Sequence, residues 1–515
     1  MRTDNGLVPT LRLSLEMTNS LSHIEQEGLW INLDTLDEIE SSYRQELEEL
    51  RERLEELAAN AVGDTPINLS SPDDRSMLLY SRRVRDKAAW SSAFNLGTER
   101  RGATVRPKMR TRMSRKQFSG TVGRLTDVVY KTRAETCTEC KGHGRNRVVK
   151  KDGTLGKAVR VCKTCGGSGV VYHNTQEVAG FKLLPRSVYD TASAGFRTDK
   201  DTLDERREEL QGDAREFVES YVRYNALRTY LSTFVEGIKN NVDRKNFIHP
   251  EFMQCVTATG RLSSRNPNYQ NMPRGNTFAI RKVVESRIEG GYILEGDYSQ
   301  LEFRVAGFLA KDEQAYADVK QGTDVHNYTA SVIGCTRQEA KAHTFKPLYG
   351  GTSGTDAQKR YYSAFKEKYA GVTEWHDELQ KQAVTKRVVV LPSGREYAFP
   401  DARWTEYGTA TNRTAICNYP VQGFATADLL PIALVLLTRL VREAELQSVI
   451  CNTVHDSIVM DVHPDEKQTC INLMQHAMLA LPFETLRRYG ITYDMPVGIE
   501  LKIGKNWLDL EEVKL

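Results

Sequence analysis

The sequence predicts an α+β protein of several domains, and three observations predict it. Apolar residues recur at spacings of three and four over 33–60 and again beyond Asp201, the mark of helices with one buried face. From Pro250 onward, short β-rich segments, turns and helical stretches alternate. Between these regions lies a strongly basic segment that carries paired cysteines. The 515 residues are 40% hydrophobic and 27% charged, which allows a sizeable core and excludes wholesale disorder. At ~150 residues per domain, the length suits three or four domains or one large enzyme with subdomains.

Taken in order, Leu33, Leu36, Ile39, Tyr43, Leu47, Leu50, Leu54 and Leu57 place a helix over 33–60. Asn32 is its expected N-cap and Gly63 its stop. Alone, that pattern also suits a coiled coil of about four heptads. From about 81 to 195 the texture is basic and rich in Gly, Ser and Thr, which predicts an inserted module with flexible flanks. Ser81 to Val170 holds 23 Lys+Arg against 6 Asp+Glu, an excess of 17 in a chain whose net charge is +3. The remainder is therefore acidic, at −14. A solvated charge run is the plain alternative, but this density of Lys and Arg favours a polyanion such as nucleic acid. Helical spacing returns with Phe217, Tyr221, Tyr224, Leu227, Leu231 and Phe234, over 201–238. The longest apolar run, Leu429 to Leu437, is roughly half of what spans a bilayer and contains Pro431, so a buried helix is expected. No secretory signal is visible in the N-terminal residues. The expectation is a cytoplasmic protein with no membrane partner.

Nine cysteines, an odd number, argue for a metal site over a disulfide framework. Cys137, Cys140, Gly142 and Gly144 form the pattern CxxCxGxG, and Cys162, Cys165, Gly167 and Gly169 repeat it. Four thiolates on two tight turns predict one closed, tetrahedral, structural Zn²⁺ site. The doubled knuckle resembles that of the J-domain co-chaperones, although no J-domain is present. His143, between the glycines, is expected to be a bystander.

Three segments of the C-terminal half carry chemistry. An apolar strand beginning at Tyr292 runs into Asp297 at its end, and a β-rich segment from Val449 to Val462 holds His455-Asp456 at an expected hairpin turn. Two strand-end aspartates on one sheet suit two divalent metals ~3.5–4 Å apart, able to activate a hydroxyl and stabilise a leaving pyrophosphate. Arg337, Lys341, Phe345 and Tyr349 lie four apart, on one face of a helix, and suit a triphosphate with a base stacked above it. Each piece alone is weak. His455-Asp456-Ser457 is not a hydrolytic triad, because adjacent strand residues point to opposite faces.

Together and in this order, these segments resemble family A DNA polymerases, the group of bacterial DNA polymerase I and its phage relatives. Asp297-Tyr-Ser-Gln-Leu-Glu-Phe-Arg304 is similar to motif A, Arg337 to Gly350 to motif B, and Val454-His-Asp-Ser457 to motif C. Thr257 to Pro273, including Arg261, Gln270 and Asn271, resembles the template-primer segment, and Asn418-Tyr-Pro-Val-Gln422-Gly another. The resemblance covers about 11–80 and 195–515. It implies a right-hand polymerase fold of palm, fingers and thumb, with the zinc-binding insertion in the thumb. The implied domains are 1–80, an N-terminal palm/thumb segment; 81–195, the basic insertion; 196–249, thumb helices; 250–310, palm with motif A; 311–440, fingers; and 441–515, palm with motif C.

The resemblance also implies roles. Asp297 and Asp456, with the carbonyl of Tyr298, would hold two Mg²⁺ ions. Arg337, Lys341 and His326 would contact the incoming triphosphate, and Lys341 could protonate the leaving pyrophosphate. Phe345 and Tyr349 would shape the nucleotide pocket, with Gln300 beside it and Glu302 as a steric gate against a 2′-hydroxyl. Arg261, Gln270, Asn271, Asn418, Gln422 and His455 would contact primer-template DNA. The implied activity is template-directed DNA synthesis from dNTPs in phage replication, with no 3′–5′ exonuclease in this chain and with a processivity partner or DNA grip at the insertion. Two rivals are a template-dependent RNA polymerase, opposed by Glu302, and a non-catalytic DNA-binding protein, opposed by Asp297, Asp456, Arg337 and Lys341. Two departures stand out: Ser457 replaces the usual Glu after the motif C aspartate, and Pro347, inside motif B, is expected to kink its helix.

Overall fold

Strand β1, Tyr292–Tyr298, is the middle of a five-stranded antiparallel sheet. The others are β2 (Val449–Val454), β3 (Ser457–Val462), β4 (Ile499–Gly504) and β5 (Leu510–Glu512), in the order β2-β3-β1-β4-β5. Alternate residues of a strand face opposite ways. Leu294 and Tyr298 are buried on one face, where the Tyr298 hydroxyl donates to the Met478 carbonyl at 2.9 Å. Gly296 lies between them: a Cβ there would come within 2.7 Å of Met478 Sδ, so the glycine lets the helix Lys467–Leu479 lie close to the sheet. Glu295 and Asp297 are thereby directed to the opposite face.

The computed structural model describes residues 8–101, 104–149, 155–275, 277–352, 354 and 356–514. The chain divides into two units, Met1–Glu40 with Ser232–Leu515, and Ser41–Leu231. The sheet belongs to the first. Helix α1, Leu301–Ala310, follows β1 and buries Leu301, Phe303, Val305 and Ala306. Asp324 caps α2 (Val325–Ile333), its Oδ1 accepting from the backbone N–H groups of His326 and Asn327. Thr336 and Glu339 cap α3 (Arg337–Leu348) reciprocally, as Thr-x-x-Glu permits. Pro347 lies at the C-terminal end of α3. It is the penultimate residue, and the helix ends just after it, with Gly350 N–H donating to the Pro347 carbonyl.

Helix α4 (Arg413–Gly423) passes through a π-helical segment, Phe424–Leu429, into α5 (Leu430–Glu443). The run Leu429–Leu437 is buried apart from Val435, as its composition predicts. Among the described residues, Arg413–Glu443 is the one helical stretch long and apolar enough to cross a membrane; 78% of its most apolar window is buried inside the protein, as in a core helix.

The predicted helix over 33–60 is Leu33–Val62. Asn32 Oδ1 accepts from Thr35 N–H at 3.1 Å, and Gly63 N–H donates to Ala59 at 2.8 Å. Gly63 holds φ +77°, and a Cβ there would fall 2.2 Å from the Thr132 carbonyl. The helical stretch expected over 201–238 is broken: Lys200–Arg206 and Asp213–Tyr230 are separated at Gly212, whose φ is +54°. In the second unit, two-pronged ion pairs join Arg53 to Glu216 (2.6 and 2.9 Å) and Arg223 to Glu46 (2.6 and 2.8 Å).

The flanks of the cysteine module are folded, contrary to the expectation of flexibility. Helices Lys87–Ala93 and Arg115–Leu125 bury Trp90, Phe94, Phe118 and Val122 in one core with Leu54, Leu57, Phe196 and Phe217. Trp90 Nε1 donates to the Ala192 carbonyl at 2.8 Å. Helices this short show little periodicity against a basic background. The module itself is two antiparallel strand pairs, Tyr130–Thr136 with Val170–Val178 and, between them in the chain, Arg145–Val149 with Leu155–Val161. Its ends meet where Ala179 N–H donates to the Val129 carbonyl at 2.9 Å. Most of the excess charge precedes it: residues 81–129 hold 13 Lys+Arg against 3 Asp+Glu.

Candidate active site

The hairpin β2–β3 turns at His455-Asp456. His455 takes φ +57°, the left-handed conformation that two-residue turns require. Tyr298 N–H donates to the Asp456 carbonyl at 3.3 Å, which ties the turn to the end of β1. The side chains of Asp297 and Asp456 are thereby brought within hydrogen-bonding reach of each other.

That pairing is electrostatically costly. Burial first, and then the neighbouring Asp456, push the Asp297 carboxyl up to about 7, although Arg274 opposes the shift. Burial also raises Asp456. Asp297 Oδ1 is buried with no hydrogen-bond partner, and Oδ2 accepts from Arg274 Nη1 at 3.2 Å. Two adjoining, partly unsatisfied carboxylates fit divalent cations, whose charge would relieve both the repulsion and the desolvation.

A cleft of about 360 Å³ opens beside this pair. Arg261, Gln300, Glu302, His455 and Asp456 line it from the sheet side, and His326, Lys341 and Phe345 from α2 and α3. Thr426, in the π-helical segment, completes the wall. Gln300 holds φ +53° at the start of α1, and Glu302 follows in the first helical turn. The Glu302 carboxylate accepts from the Arg261 guanidinium on one oxygen and from the Tyr349 hydroxyl on the other. Burial raises its carboxyl and Arg261 opposes this. Phe345 packs edge-to-face with His326 at 5.4 Å, and burial lowers the His326 imidazole. His326 Nδ1 lies 3.0 Å from Thr344 Oγ1.

Other expected residues are placed differently. Arg337 is half exposed and pairs with Asp324 at 2.7 Å, away from the cleft lining. Helical spacing fixes its face but carries no sign of that competing carboxylate. Gln270 is buried and Asn271 exposed in the short turn Tyr269–Asn271; neither they nor Asn418 and Gln422 of α4 line the cleft. Asn418 Oδ1 is buried with no partner. Three groups near the aspartates were not singled out from sequence: Arg274, Arg281 and Glu295. Ser457, the departure in motif C, lies 3.2 Å from Glu295 Oε1.

The cysteine knuckles form a second candidate centre, in the other unit. Sγ of Cys137, Cys140, Cys162 and Cys165 all lie within 4.8 Å of one another. Cys137 and Cys162 are 3.8 Å apart, and Cys140 and Cys165 3.6 Å. Four sulfurs at about 2.3 Å from a tetrahedral Zn²⁺ would be about 3.8 Å apart, so the set fits zinc. Gly144 N–H donates to Cys140 Sγ and Gly169 N–H to Cys165 Sγ, at 3.2 and 3.3 Å. The knuckles are cross-bonded: Cys137 N–H donates to the Gly169 carbonyl and Cys162 N–H to that of Gly144, both at 2.9 Å. His143 is exposed and outside the cluster.

An antiparallel sheet bearing two acidic residues at one end, faced by a helix that presents lysine and phenylalanine, is the architecture of a polymerase palm with a helix opposite it. The fold agrees: the chain superposes on the POL domain of Pol1 from M. smegmatis, solved in complex with DNA primer-template and dNTP, with a TM-score of 0.65 and 20% identity over 96% of this chain and 70% of that one. The profile of DNA polymerase family A matches residues 177–509, and the chain belongs to that family. DNA polymerase I of Lactococcus lactis subsp. cremoris is 29% identical over 353 residues, 64% of this chain and 38% of that protein. The DNA polymerase of Bacillus phage SP01 is 27% identical over 412 residues, 72% of this chain and 43% of that protein. The chain thus spans about two fifths of the length of these curated relatives.

Proposed function

We propose that the protein is a DNA-directed DNA polymerase that extends a primer 3′-hydroxyl with dNTPs in phage DNA replication, in the cytoplasm of the host cell. The observation that carries this reading is the buried, mutually repelling pair Asp297–Asp456 at the mouth of a cleft walled by Lys341, Phe345 and Glu302. Asp297, Asp456 and the Tyr298 carbonyl would hold two Mg²⁺, which would lower the pKa of the attacking hydroxyl and neutralise charge on the transferring phosphoryl group.

The chain's own side chains do the rest. Lys341 offers a cation, and a proton, to the departing pyrophosphate. His326 is held by Thr344 and aims at the same phosphates, and Arg337 joins them once it exchanges Asp324 for a phosphate. Phe345 and Tyr349 stack at 6.2 Å and offer a flat wall to the base and sugar. Glu302 occupies the space that a 2′-hydroxyl would need, and Gln300 flanks it. Arg261 and His455 face the primer terminus, and Gln270, Asn271, Asn418 and Gln422 contact the template-primer duplex. The unit Ser41–Leu231 serves as the thumb. It carries one structural Zn²⁺ in its cysteine module, and its basic surface grips duplex phosphates.

Primer extension tests this reading. Asp297→Ala and Asp456→Ala should each abolish nucleotide addition yet bind primer-template as the parent does, because each removes a metal ligand and no phosphate contact. Near-normal turnover in either variant would refute it.

A further inference from the structure

We propose that Glu295 is a positioning residue for the metal-binding carboxylates, a third acid that grips the β2–β3 turn and adds its charge to the site. This rests on the reading of Asp297 and Asp456 as metal ligands. Glu295 precedes Asp297 by two residues in β1, so both side chains leave the same face of the sheet. The register sets Asp297 opposite Ser457 and Glu295 opposite Val459. Ser457 is fully buried and directly follows Asp456 in the chain. Its hydroxyl has one proton, shared between Glu295 Oε1 at 3.2 Å and the Val454 carbonyl at 3.0 Å. Glu295 therefore holds the residue next to one metal ligand while standing two residues from the other.

The opposite side of Glu295 is held by Arg281. Arg281 Nη1 lies 3.7 Å from Glu295 Oε1, and the arginine side chain is only 4% exposed. Its guanidinium sits 4.1 Å over the Trp507 ring, and Nη2 donates to the Met272 carbonyl at 3.3 Å. A guanidinium so enclosed needs an anion beside it, and Glu295 is the side chain held there. The line Arg281–Glu295–Ser457 thus ends at Asp456. A fixed negative charge near the metal pair strengthens its hold on divalent cations without supplying a ligand.

The test is Mn²⁺ binding, followed by electron paramagnetic resonance, together with the Mg²⁺ dependence of single-nucleotide addition. Glu295→Gln keeps the shape and removes the charge, so Mn²⁺ affinity should fall on the order of tenfold and the Mg²⁺ midpoint rise equally. The KM for dNTP at saturating Mg²⁺ should not move. Glu295→Asp, which keeps the charge, should restore Mn²⁺ affinity to within about twofold of the parent. Ser457→Ala removes the grip and keeps the charge, and should slow turnover at saturating metal with Mn²⁺ affinity unchanged. Asp297→Asn is measured alongside. If it loses Mn²⁺ while Glu295→Gln binds as the parent does, the role of Glu295 is overturned and the metal-ligand reading stands. If Asp297→Asn also binds normally, the metal-ligand reading itself falls. Should Glu295→Gln fail to fold, parent-like turnover in Ser457→Ala at saturating metal overturns the proposal by itself.

Discussion

Glu302 is pinned from two sides, by Arg261 and by the Tyr349 hydroxyl, so its carboxylate has little freedom to make room for a larger sugar. Burying a 2′-hydroxyl there without a partner costs ~1–3 kcal/mol, roughly ten- to hundredfold in selectivity before any clash. Glu302→Ala should therefore relax rNTP exclusion in competition assays. It should also lower overall activity, because Arg261 and Tyr349 lose their common partner. Phe345 offers no hydroxyl in place of a missing 3′-hydroxyl, so Phe345→Tyr should improve the ddNTP/dNTP ratio. Unchanged ratios in both active variants would displace this pocket. A second expectation concerns charge. The Asp297 carboxyl is raised to about 7, so in metal-free protein its stabilising contribution is complete below the unfolded value near 4 and is lost as pH rises through about 7. Asp297→Asn should accordingly melt higher than the parent at pH 8 in EDTA, with the difference shrinking as the pH falls to 5. Equal melting temperatures at pH 8 would contradict the strained pair.

Each knuckle is shaped by its glycines as much as by its cysteines. Gly144 holds φ +68°, and a Cβ there would meet the Gly167 carbonyl at 2.1 Å, so only glycine lets the two turns approach. The purified protein should contain one Zn²⁺ per chain by elemental analysis. Cys137→Ser and Cys162→Ser should release it, and Gly144→Ala should weaken its retention against a chelator. A folded preparation without zinc would end that assignment. The module was legible because an eight-residue pattern occurs twice, and Leu33–Val62 because its period holds along the whole helix. Asp297 and Asp456 were legible because each ends or turns a β-rich run. Arg274 was not: it lies in a stretch without secondary structure, where no period marks which residues approach the aspartates. Glu295 was readable in principle from the two-residue repeat of β1, but nothing local connects it to Ser457, 162 residues away. Pro347 is recognisable as a helix breaker, yet whether it bends or ends a helix is decided by its C-terminal neighbours, here Gly350 and Gly351.

At the scale of the molecule, the distribution of charge separates the zinc module from the rest of the basic segment. Removing the whole of 81–195 would tear Trp90, Phe94 and Phe118 out of the core they share with Phe196 and Phe217, because that core draws on residues on both sides of the module. Removing 130–178 instead joins Val129 to Ala179, which already share a hydrogen bond. That deletion should fold, add single nucleotides normally and yield somewhat shorter products in a single-encounter assay. Replacing the exposed Arg106, Lys108, Arg112, Arg115 and Lys116 by Ala should shorten products further. It should also reduce the salt dependence of primer-template binding, by about one unit of slope for each phosphate no longer neutralised. Product lengths unchanged in both variants would mean that the basic surface serves something other than the duplex.

The alternation along β1 has an evolutionary consequence. Leu294, Gly296 and Tyr298 pack toward the helix behind the sheet, whereas Asp297 leaves the other face, beside Arg274 and Asp456. At the end of this strand, selection is therefore split between the two faces. Drift at 294, 296 and 298 is limited by folding yield and can be rescued by a stabilising change elsewhere, whereas drift at 297 changes chemistry in a protein that still folds. New catalytic behaviour can thus arise at the end of this strand without first crossing a valley of misfolded intermediates.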